Sequence, residues 1–165
     1  MREMAKDLEQ LKRQFLEYVE IERGRALKTV ENYNHYLSVF LNQTKAKSPS
    51  DINDNLVREF RLWLNRQITG NNKKTGETLS RKTQNYYLIA IRAFLKYMAR
   101  QEVKTMPSER IELAKVAERS LDLITENELK RLLESVKGND LKALRDSAIL
   151  ELLFSTGLRV SELCS

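Results

Sequence analysis

Residues 156–163 read Thr-Gly-Leu-Arg-Val-Ser-Glu-Leu, and they decide how the rest of the 165-residue chain is interpreted. Gly157 suits the left-handed backbone conformation that ends many helices, and a new helix is predicted to begin at about Arg159. The apolar residues upstream recur at helical spacing and predict a preceding helix with one buried stripe: Leu144, Ala148, Ile149, Leu152 and Leu153. Arg159 would then stand beside unpaired N–H groups of a helix N-terminus, where a bound phosphate satisfies both.

Arg159 also has the chemistry of a phosphate ligand. Its guanidinium is a planar fork that can bind two phosphate oxygens and does not deprotonate, so lysine is a poor substitute. Glu162 follows three residues later, on the same helix face, where its carboxylate can orient the fork. The alternative is an exposed Arg–Glu pair that follows a glycine helix cap.

The octapeptide resembles the first catalytic box of the tyrosine recombinases, the family of lambda-type and Xer-like integrases. In that family the box arginine holds the scissile phosphate and an acidic residue supports it, so the resemblance implies these roles for Arg159 and Glu162. It implies a site-specific recombinase in which a tyrosine attacks DNA and forms a 3′-phosphotyrosyl link, with no metal and no nucleotide cofactor. The implied partner is double-stranded DNA, bound by a homo- or hetero-tetramer.

Composition predicts a globular, all-α chain. Hydrophobic residues make up 41% of the sequence, only two Pro and five Gly are present, and β-branched runs are scarce. No apolar run approaches the length of a membrane span and the N-terminus lacks the apolar core of a signal peptide. We therefore expect a cytoplasmic, nucleoid-associated protein. The single Cys164 builds neither a disulfide framework nor a metal site, and we expect its thiol to be buried.

The net charge of +6 is divided unequally along the chain. Residues 1–107 contain 20 Lys and Arg against 12 Asp and Glu, a balance of +8. Residues 108–165 contain 9 against 11, a balance of −2. A basic first part favours a polyanion-binding module, and the alternative is an ordinary lysine-rich solvated surface.

Four helices are predicted in the basic part, over about 2–22, 29–42, 54–67 and 81–100, from apolar residues at three- and four-residue spacing. Gly24 is expected to stop the first helix, while Asn53 and Ser80 are expected to cap the third and fourth. The composition of residues 69–78 predicts a turn-rich hairpin or loop.

The fourth helix is two-faced. One side carries apolar residues at core spacing: Tyr87, Ile91, Phe94 and Met98. Another side carries Arg81, Asn85, Arg92 and Lys96. Because Arg and Lys reach phosphates or guanine and Asn can pair with adenine, this side suits the major groove of DNA. The alternative is the solvated side of an amphipathic helix.

The order of these helices resembles the core-binding domain of the same family, a SAM-like domain whose second and fourth helices cross the duplex. Segment 29–33, Thr-Val-Glu-Asn-Tyr, is similar to the family's opening of the second helix, and segments 81–83 and 90–94 are similar to its long fourth helix. The resemblance implies DNA contacts by Thr29, Asn32, His35, Arg81, Lys82, Thr83, Asn85, Arg92 and Lys96.

We expect a core-binding domain over 1–107, a linker over 108–120 and the first, truncated part of a mainly helical catalytic domain over 121–165. Residues 125–128, Thr-Glu-Asn-Glu, form a capping box before a further helix that ends near 138–140. The linker departs from the family pattern, which has prolines where Ala114, Ala117 and Asp122 stand.

Activity is expected only in a longer parent protein. The family's remaining catalytic residues, including the tyrosine nucleophile, would follow Ser165, so the 165-residue chain is expected to be inactive alone. Because the chain begins without an extra arm domain, the resemblance favours a Xer-like or simple integrase type. Two alternatives stay open: a non-catalytic DNA-binding protein that keeps only this half, and a helical interaction module with an accidental octapeptide.

Overall fold

The structure is a computed structural model that describes residues 7–68, 78–116 and 123–165. Over these ranges the regular elements are helices, and one isolated antiparallel bridge joins Ile68 to Thr78. The chain divides into two compact units, Met1–Ala117 and Glu118–Ser165. The predicted all-α fold is confirmed. Residues 2–6 of the predicted first helix, segment 69–77 of the predicted turn region and the positions Ala117 and Asp122 lie outside the described residues.

The first unit contains the four predicted helices, α1 (Leu8–Ile21), α2 (Leu27–Thr44), α3 (Asp54–Asn65) and α4 (Arg81–Arg100). Two short 3₁₀ turns, Pro49–Asp51 and Ser108–Arg110, lie outside these helices. The main differences from the prediction are at helix ends, since α2 is longer at both ends and α3 stops before Gln67.

Side chains close the starts of three of these helices. The Asn53 side chain accepts a hydrogen bond from the Leu56 N–H at 3.0 Å, and Ser80 Oγ accepts one from the Thr83 N–H at 3.1 Å. Asp7 caps α1 in the same way. Each cap satisfies an N–H group that the helix leaves unpaired, so the caps predicted at Asn53 and Ser80 are confirmed and act locally.

Buried aromatic rings join the helices of the first unit. Phe94 of α4 lies 5.5 Å from Phe15 of α1, and Phe40 of α2 lies 5.0 Å from Phe60 of α3, measured between ring centroids. All four rings are buried, and α4 packs against α1, α2 and α3. Tilted and edge-to-face ring pairs stabilise a core beyond the area that they bury, so α4 is held in one rotation about its axis.

Part of segment 108–116 packs against the helices of the first unit. Ile111 is 1% exposed and belongs to the same core, and Leu113 packs against that core. Arg110 forms a 2.7 Å ion pair with Asp54 at the start of α3. The packed unit therefore continues past 107, whereas the division of function at 107 and 120 stays a prediction.

The second unit contains α5 (Glu126–Leu133), α6 (Leu141–Thr156) and α7 (Val160–Leu163). The predicted capping box is confirmed, since Glu128 Oε2 accepts from the Thr125 N–H at 2.9 Å and Thr125 Oγ1 accepts from the Glu128 N–H at 3.3 Å. Between α5 and α6 Gly138 takes a φ of 138°, which agrees with the predicted break.

Two predictions of burial in the second unit are wrong. Cys164 is exposed, because α7 ends at Leu163 and no described helix covers the residue that follows. The apolar stripe of α6 is also partly open to solvent, with Leu144 56% and Leu152 42% exposed. Periodicity detects which side of a helix is apolar, but burial needs a neighbour, and the described part of this unit holds three helices.

Within the described residues, no helix combines the length and the apolar character needed to cross a membrane.

Removing residues 108–116 should destabilise the first unit. Burial of one Ile side chain contributes about 1.5–3 kcal/mol, so fragment 1–107 should unfold with a free energy lower by roughly that amount than fragment 1–116. Urea denaturation followed by the fluorescence of Trp63 measures this, because Trp63 is the sole tryptophan and stacks on Phe60 in the core. In fragment 1–116, Ile111→Ala should cost about 2–5 kcal/mol, whereas Val116→Ala at an exposed position should cost less than about 0.5 kcal/mol. Equal stabilities of the two fragments would contradict the packing role of this segment.

Candidate nucleic-acid interface

The turn between α6 and α7 positions Arg159. Gly157 has a φ of 67°, in the left-handed region, and its N–H donates to the Leu153 carbonyl at 3.0 Å. Arg159 is the N-cap residue of α7. The predicted glycine stop and the new helix start are therefore confirmed, and the stop follows from the ability of glycine to adopt a positive φ.

Glu162 holds Arg159 by two contacts. Its Oε2 accepts the Arg159 backbone N–H at 2.8 Å, and its Oε1 accepts from Arg159 Nη1 at 3.2 Å. One carboxylate thus fixes both the backbone and one nitrogen of the guanidinium. The Arg159 side chain is 81% exposed, so the rest of the fork is accessible to an anion. Such a pair can bind a phosphate with the cation already oriented.

The residues predicted to contact DNA all lie in the first unit. On α2, Asn32 and His35 are exposed and Thr29 is half-buried. On α4, the exposed residues are Arg81, Lys82 and Lys96, and the half-buried residues are Thr83, Asn85 and Arg92. Because α2 and α4 pack against each other, the two sets are carried by neighbouring helices. A contact joins the two helices, since His35 Nε2 of α2 lies 3.4 Å from the Tyr87 hydroxyl of α4.

Asn85 makes two hydrogen bonds with the segment that follows α4. Its Nδ2 donates to the Ala114 carbonyl at 2.8 Å, and its Oδ1 accepts from the Ala114 N–H at 3.0 Å. Both ends of the amide that could pair with adenine are used, so base reading by Asn85 requires these bonds to break.

Glu109 lies beside the same side of α4. The hydrogen bond from the Ser108 hydroxyl lowers the pKa of the Glu109 carboxyl, and the nearby charges of Lys96 and Arg92 lower it further. Residues 109–114 thus run beside the side of α4 that carries Asn85 and Arg92. Part of the predicted DNA-binding side is in contact with protein.

A neighbouring side of α4 is more open. Six residues there recur at 4-3-4-3-4 spacing and define the exposed α4 face, in which five are exposed and Ala93 is half-buried: Lys82, Tyr86, Ile89, Ala93, Lys96 and Arg100. Tyr86 is 43% and Ile89 38% exposed, and α4 carries five basic and no acidic residues. Tyr86 also stacks on Tyr36 of α2, with 6.4 Å between ring centroids. The sequence analysis missed Tyr86, Ile89 and Arg100, although their spacing was the signal that could have found them.

A helical unit with a basic and aromatic face, together with an oriented and exposed arginine, defines a candidate nucleic-acid-binding protein. Residues 13–102 match the family model described as phage integrase, N-terminal SAM-like domain, and residues 122–165 match the model of the phage integrase family. The chain belongs to the phage integrase family.

The relatives found among curated proteins are tyrosine recombinases of the Xer type. The chain is 34% identical over 155 residues to the tyrosine recombinase XerD of Chlamydia pneumoniae. That alignment covers 92% of the chain and 48% of the relative. It is 32% identical to XerD of Oceanobacillus iheyensis, over 92% of the chain and 49% of that protein. It is 28% identical to XerC of Bacillus subtilis, over 92% of the chain and 48% of that protein. The chain spans about half the length of the curated relatives it matches. No solved structure matches. The predicted resemblance to the tyrosine recombinases is confirmed.

Asn85→Ala should destabilise the first unit. The substitution leaves two backbone groups of Ala114 without their partners in a half-buried position, which costs about 1–3 kcal/mol. Urea denaturation of the full chain, followed by Trp63 fluorescence, measures the loss, and Lys82→Ala on the exposed side of the same helix is the control. A variant of unchanged stability that binds duplexes with relaxed sequence preference would instead make Asn85 a base reader.

Proposed function

We propose that the whole protein is a site-specific DNA recombinase of the tyrosine type, and that this chain supplies DNA clamping and the first catalytic arginine. The observation that carries the DNA-binding part is α4, which carries five cations and no acidic residue and also exposes the ring of Tyr86. The phosphate backbone supplies a large share of the affinity for DNA, and such a helix matches it. Membership in the phage integrase family supports the recombinase part.

We assign the DNA contacts to α2 and α4 together. Arg81, Lys82 and Lys96 are exposed cations that can bind phosphates. The polar side chains of Thr29, Asn32 and His35 lie on the neighbouring α2, and Thr83 lies in the first turn of α4. Arg92 and Asn85 complete the set if segment 109–114 moves away when DNA binds, because that segment now lies beside them.

In the proposed reaction Arg159 binds two oxygens of the scissile phosphate. Glu162 holds one nitrogen of the guanidinium and the backbone beneath it, so the fork is oriented before DNA arrives. A preorganised cation stabilises the negative charge that develops on the phosphate as the attacking oxygen adds, which lowers the barrier for the chemical step. The link to the tyrosine retains the energy of the broken phosphodiester, so the proposal requires neither a metal nor a nucleotide.

The nucleophile is proposed to lie outside these 165 residues. All six tyrosines of the chain precede residue 121, in the first unit. Burial raises the pKa of the Tyr87 hydroxyl, with Tyr36 adding to the effect, and burial raises the pKa of Tyr97. A raised pKa lowers the phenolate fraction at neutral pH, so both are poor nucleophiles. The 165-residue chain is accordingly proposed to be inactive alone. We propose that the active form of the whole protein is a homo- or hetero-tetramer on DNA, located in the cytoplasm and associated with the nucleoid.

The second candidate function is a DNA-binding protein without catalysis. The basic helix α4 favours it, because DNA binding by this helix requires no nucleophile. The two candidates differ in one measurable product, the covalent protein–DNA adduct.

Duplex binding by the 165-residue chain should weaken steeply with salt. Each phosphate that a cation neutralises contributes about −0.9 to the slope of log affinity against log salt concentration. Fluorescence anisotropy of a labelled duplex between roughly 50 and 200 mM salt measures that slope. Fragment 1–116 should retain most of it, since the basic residues of α4 lie there. An affinity that stays flat across this range would contradict DNA binding by the basic face.

Arg159→Ala should affect catalysis far more than binding. In the 165-residue chain the substitution should change duplex affinity by less than about threefold, because one phosphate contact is a small share of the total. In the whole protein it should slow formation of the covalent adduct on a suicide substrate by roughly 10²–10³. Arg159→Lys should be nearly as damaging, since a point charge does not reproduce the fork.

Arg145→Ala is the matched control for this experiment. Arg145 is an exposed arginine on α6 that pairs with Asp146 at 2.7 Å, so the variant removes the same charge from the same unit. It should form the adduct at the wild-type rate. If Arg159→Ala also does so, the catalytic assignment is wrong and Arg159 is a structural residue.

A further inference from the structure

A cavity of about 500 Å³ lies in the first unit at the end of the exposed α4 face that carries Lys96 and Arg100. Four of the residues that line it are basic: Arg23, Arg25, Lys96 and Arg100. Its walls include aromatic rings, among them Tyr18 and Tyr97. Arg23, Arg25 and Arg100 are not among the residues that the sequence or the family resemblance assigned to DNA.

The turn after α1 places two of these arginines. Gly24 has a φ of 56°, in the left-handed region that a glycine adopts without strain. On either side of it, the Arg23 N–H donates to the Tyr18 carbonyl at 3.1 Å and the Arg25 N–H donates to the Val19 carbonyl at 3.2 Å. The chain is thereby folded back over the end of α1, and both arginines line the cavity. The turn is held by backbone hydrogen bonds, so the side chains of Arg23 and Arg25 are not needed to form it.

An aromatic wall holds Arg100. Its Nη1 lies 2.6 Å from the Tyr18 hydroxyl, and its guanidinium carbon lies 5.9 Å from the centre of the Tyr18 ring. Tyr97 packs on Tyr18 with 5.1 Å between ring centroids. The rings exclude water from one side of the cation, which strengthens its interaction with an anion. Burial raises the pKa of the Tyr97 hydroxyl, and the charges of Glu22 and Glu17 add to this, so that hydroxyl stays uncharged at neutral pH.

The cations of this cavity have little internal compensation. Among the ion pairs of the described residues, none joins Arg23, Arg25, Lys96 or Arg100 to a carboxylate within 4.0 Å. The nearby acids act at longer range, Glu109 toward Lys96 and Glu22 toward Tyr97. Several like charges around one cavity repel each other, and a bound anion offsets that repulsion because it attracts each of the cations.

We propose that this cavity binds a backbone phosphate of duplex DNA, with Arg23, Arg25 and Arg100 as DNA contacts beyond α2 and the start of α4. The inference rests on the proposed DNA binding and deepens it. Lys96 and Arg100 belong to both the exposed α4 face and the cavity, so a duplex that lies along that face reaches it. Phosphate contacts of this kind fix the register of a protein on DNA and carry no sequence information.

The double variant Arg23→Ala/Arg25→Ala of the full chain tests the proposal. The probe is a labelled duplex of arbitrary sequence, titrated by anisotropy at several salt concentrations. Loss of the site should lower affinity about tenfold at 50 mM salt and make the salt slope shallower by about 1–2, since each phosphate contributes about 0.9. The matched control is Arg58→Ala/Arg61→Ala on α3, which removes the same charge beside a different cavity. It should change affinity by less than about threefold.

An uncharged variant separates the cavity from overall charge. Ala93 lines the cavity and is half-buried, so Ala93→Leu narrows the cavity while it keeps every cation and a good helix former. It should weaken duplex binding about fivefold, with a wild-type unfolding midpoint reported by Trp63. Binding that is equal in the two arginine double variants would overturn the inference, because net charge alone would then explain the loss. A wild-type chain that binds no duplex would instead refute the proposed function and the cavity with it.

Discussion

The packing of α4 against α1, α2 and α3 is the constraint on which the first unit depends. Phe94 of α4 is fully buried against Phe15 of α1, and the Phe40–Phe60 pair closes the core between α2 and α3. Because aromatic rings fill so much of this core, α4 cannot rotate without leaving a void. The rotation that buries its apolar side leaves four of its five basic residues exposed, so the core and the charged surface are consequences of one packing arrangement.

The charged surface has an energetic cost, and the proposed binding of DNA gives a reason for it. α4 holds five cations without an acidic neighbour on the same helix, and the turn after α1 adds Arg23 and Arg25. Like charges at this density oppose folding slightly, and they raise the rate and affinity with which a polyanion binds. In a member of the phage integrase family, DNA is the polyanion that such a surface suits.

The second unit uses a different principle, in which local geometry orients a single cation. Gly157 ends α6, Arg159 begins α7, and Glu162 reaches back to the backbone and the guanidinium of Arg159. Every contact in this arrangement spans a few residues, so it forms without help from distant parts of the chain. Apolar side chains such as Leu144 are nevertheless exposed, which shows that the described helices of this unit do not bury their own apolar stripes.

The sequence by itself determined the features that depend on neighbours along the chain. The helix caps at Asn53, Ser80 and Thr125, the left-handed stop at Gly157 and the Arg159–Glu162 pair each involve residues within four positions of one another, so their patterns are visible in the sequence. The family was also predicted correctly from the sequence, because the octapeptide and the order of the helices are visible there.

Only the tertiary structure decided the features that join distant residues. Asn85 meets Ala114 across 29 positions, and the cavity gathers side chains from the turn after α1 and from the last turns of α4. Periodicity gave the apolar and polar sides of α4, but which polar side stays open depends on where residues 109–114 lie, and no local pattern encodes that path. The exposure of Cys164 has the same origin, because burial depends on a covering neighbour and not on the residue's own position in a helix.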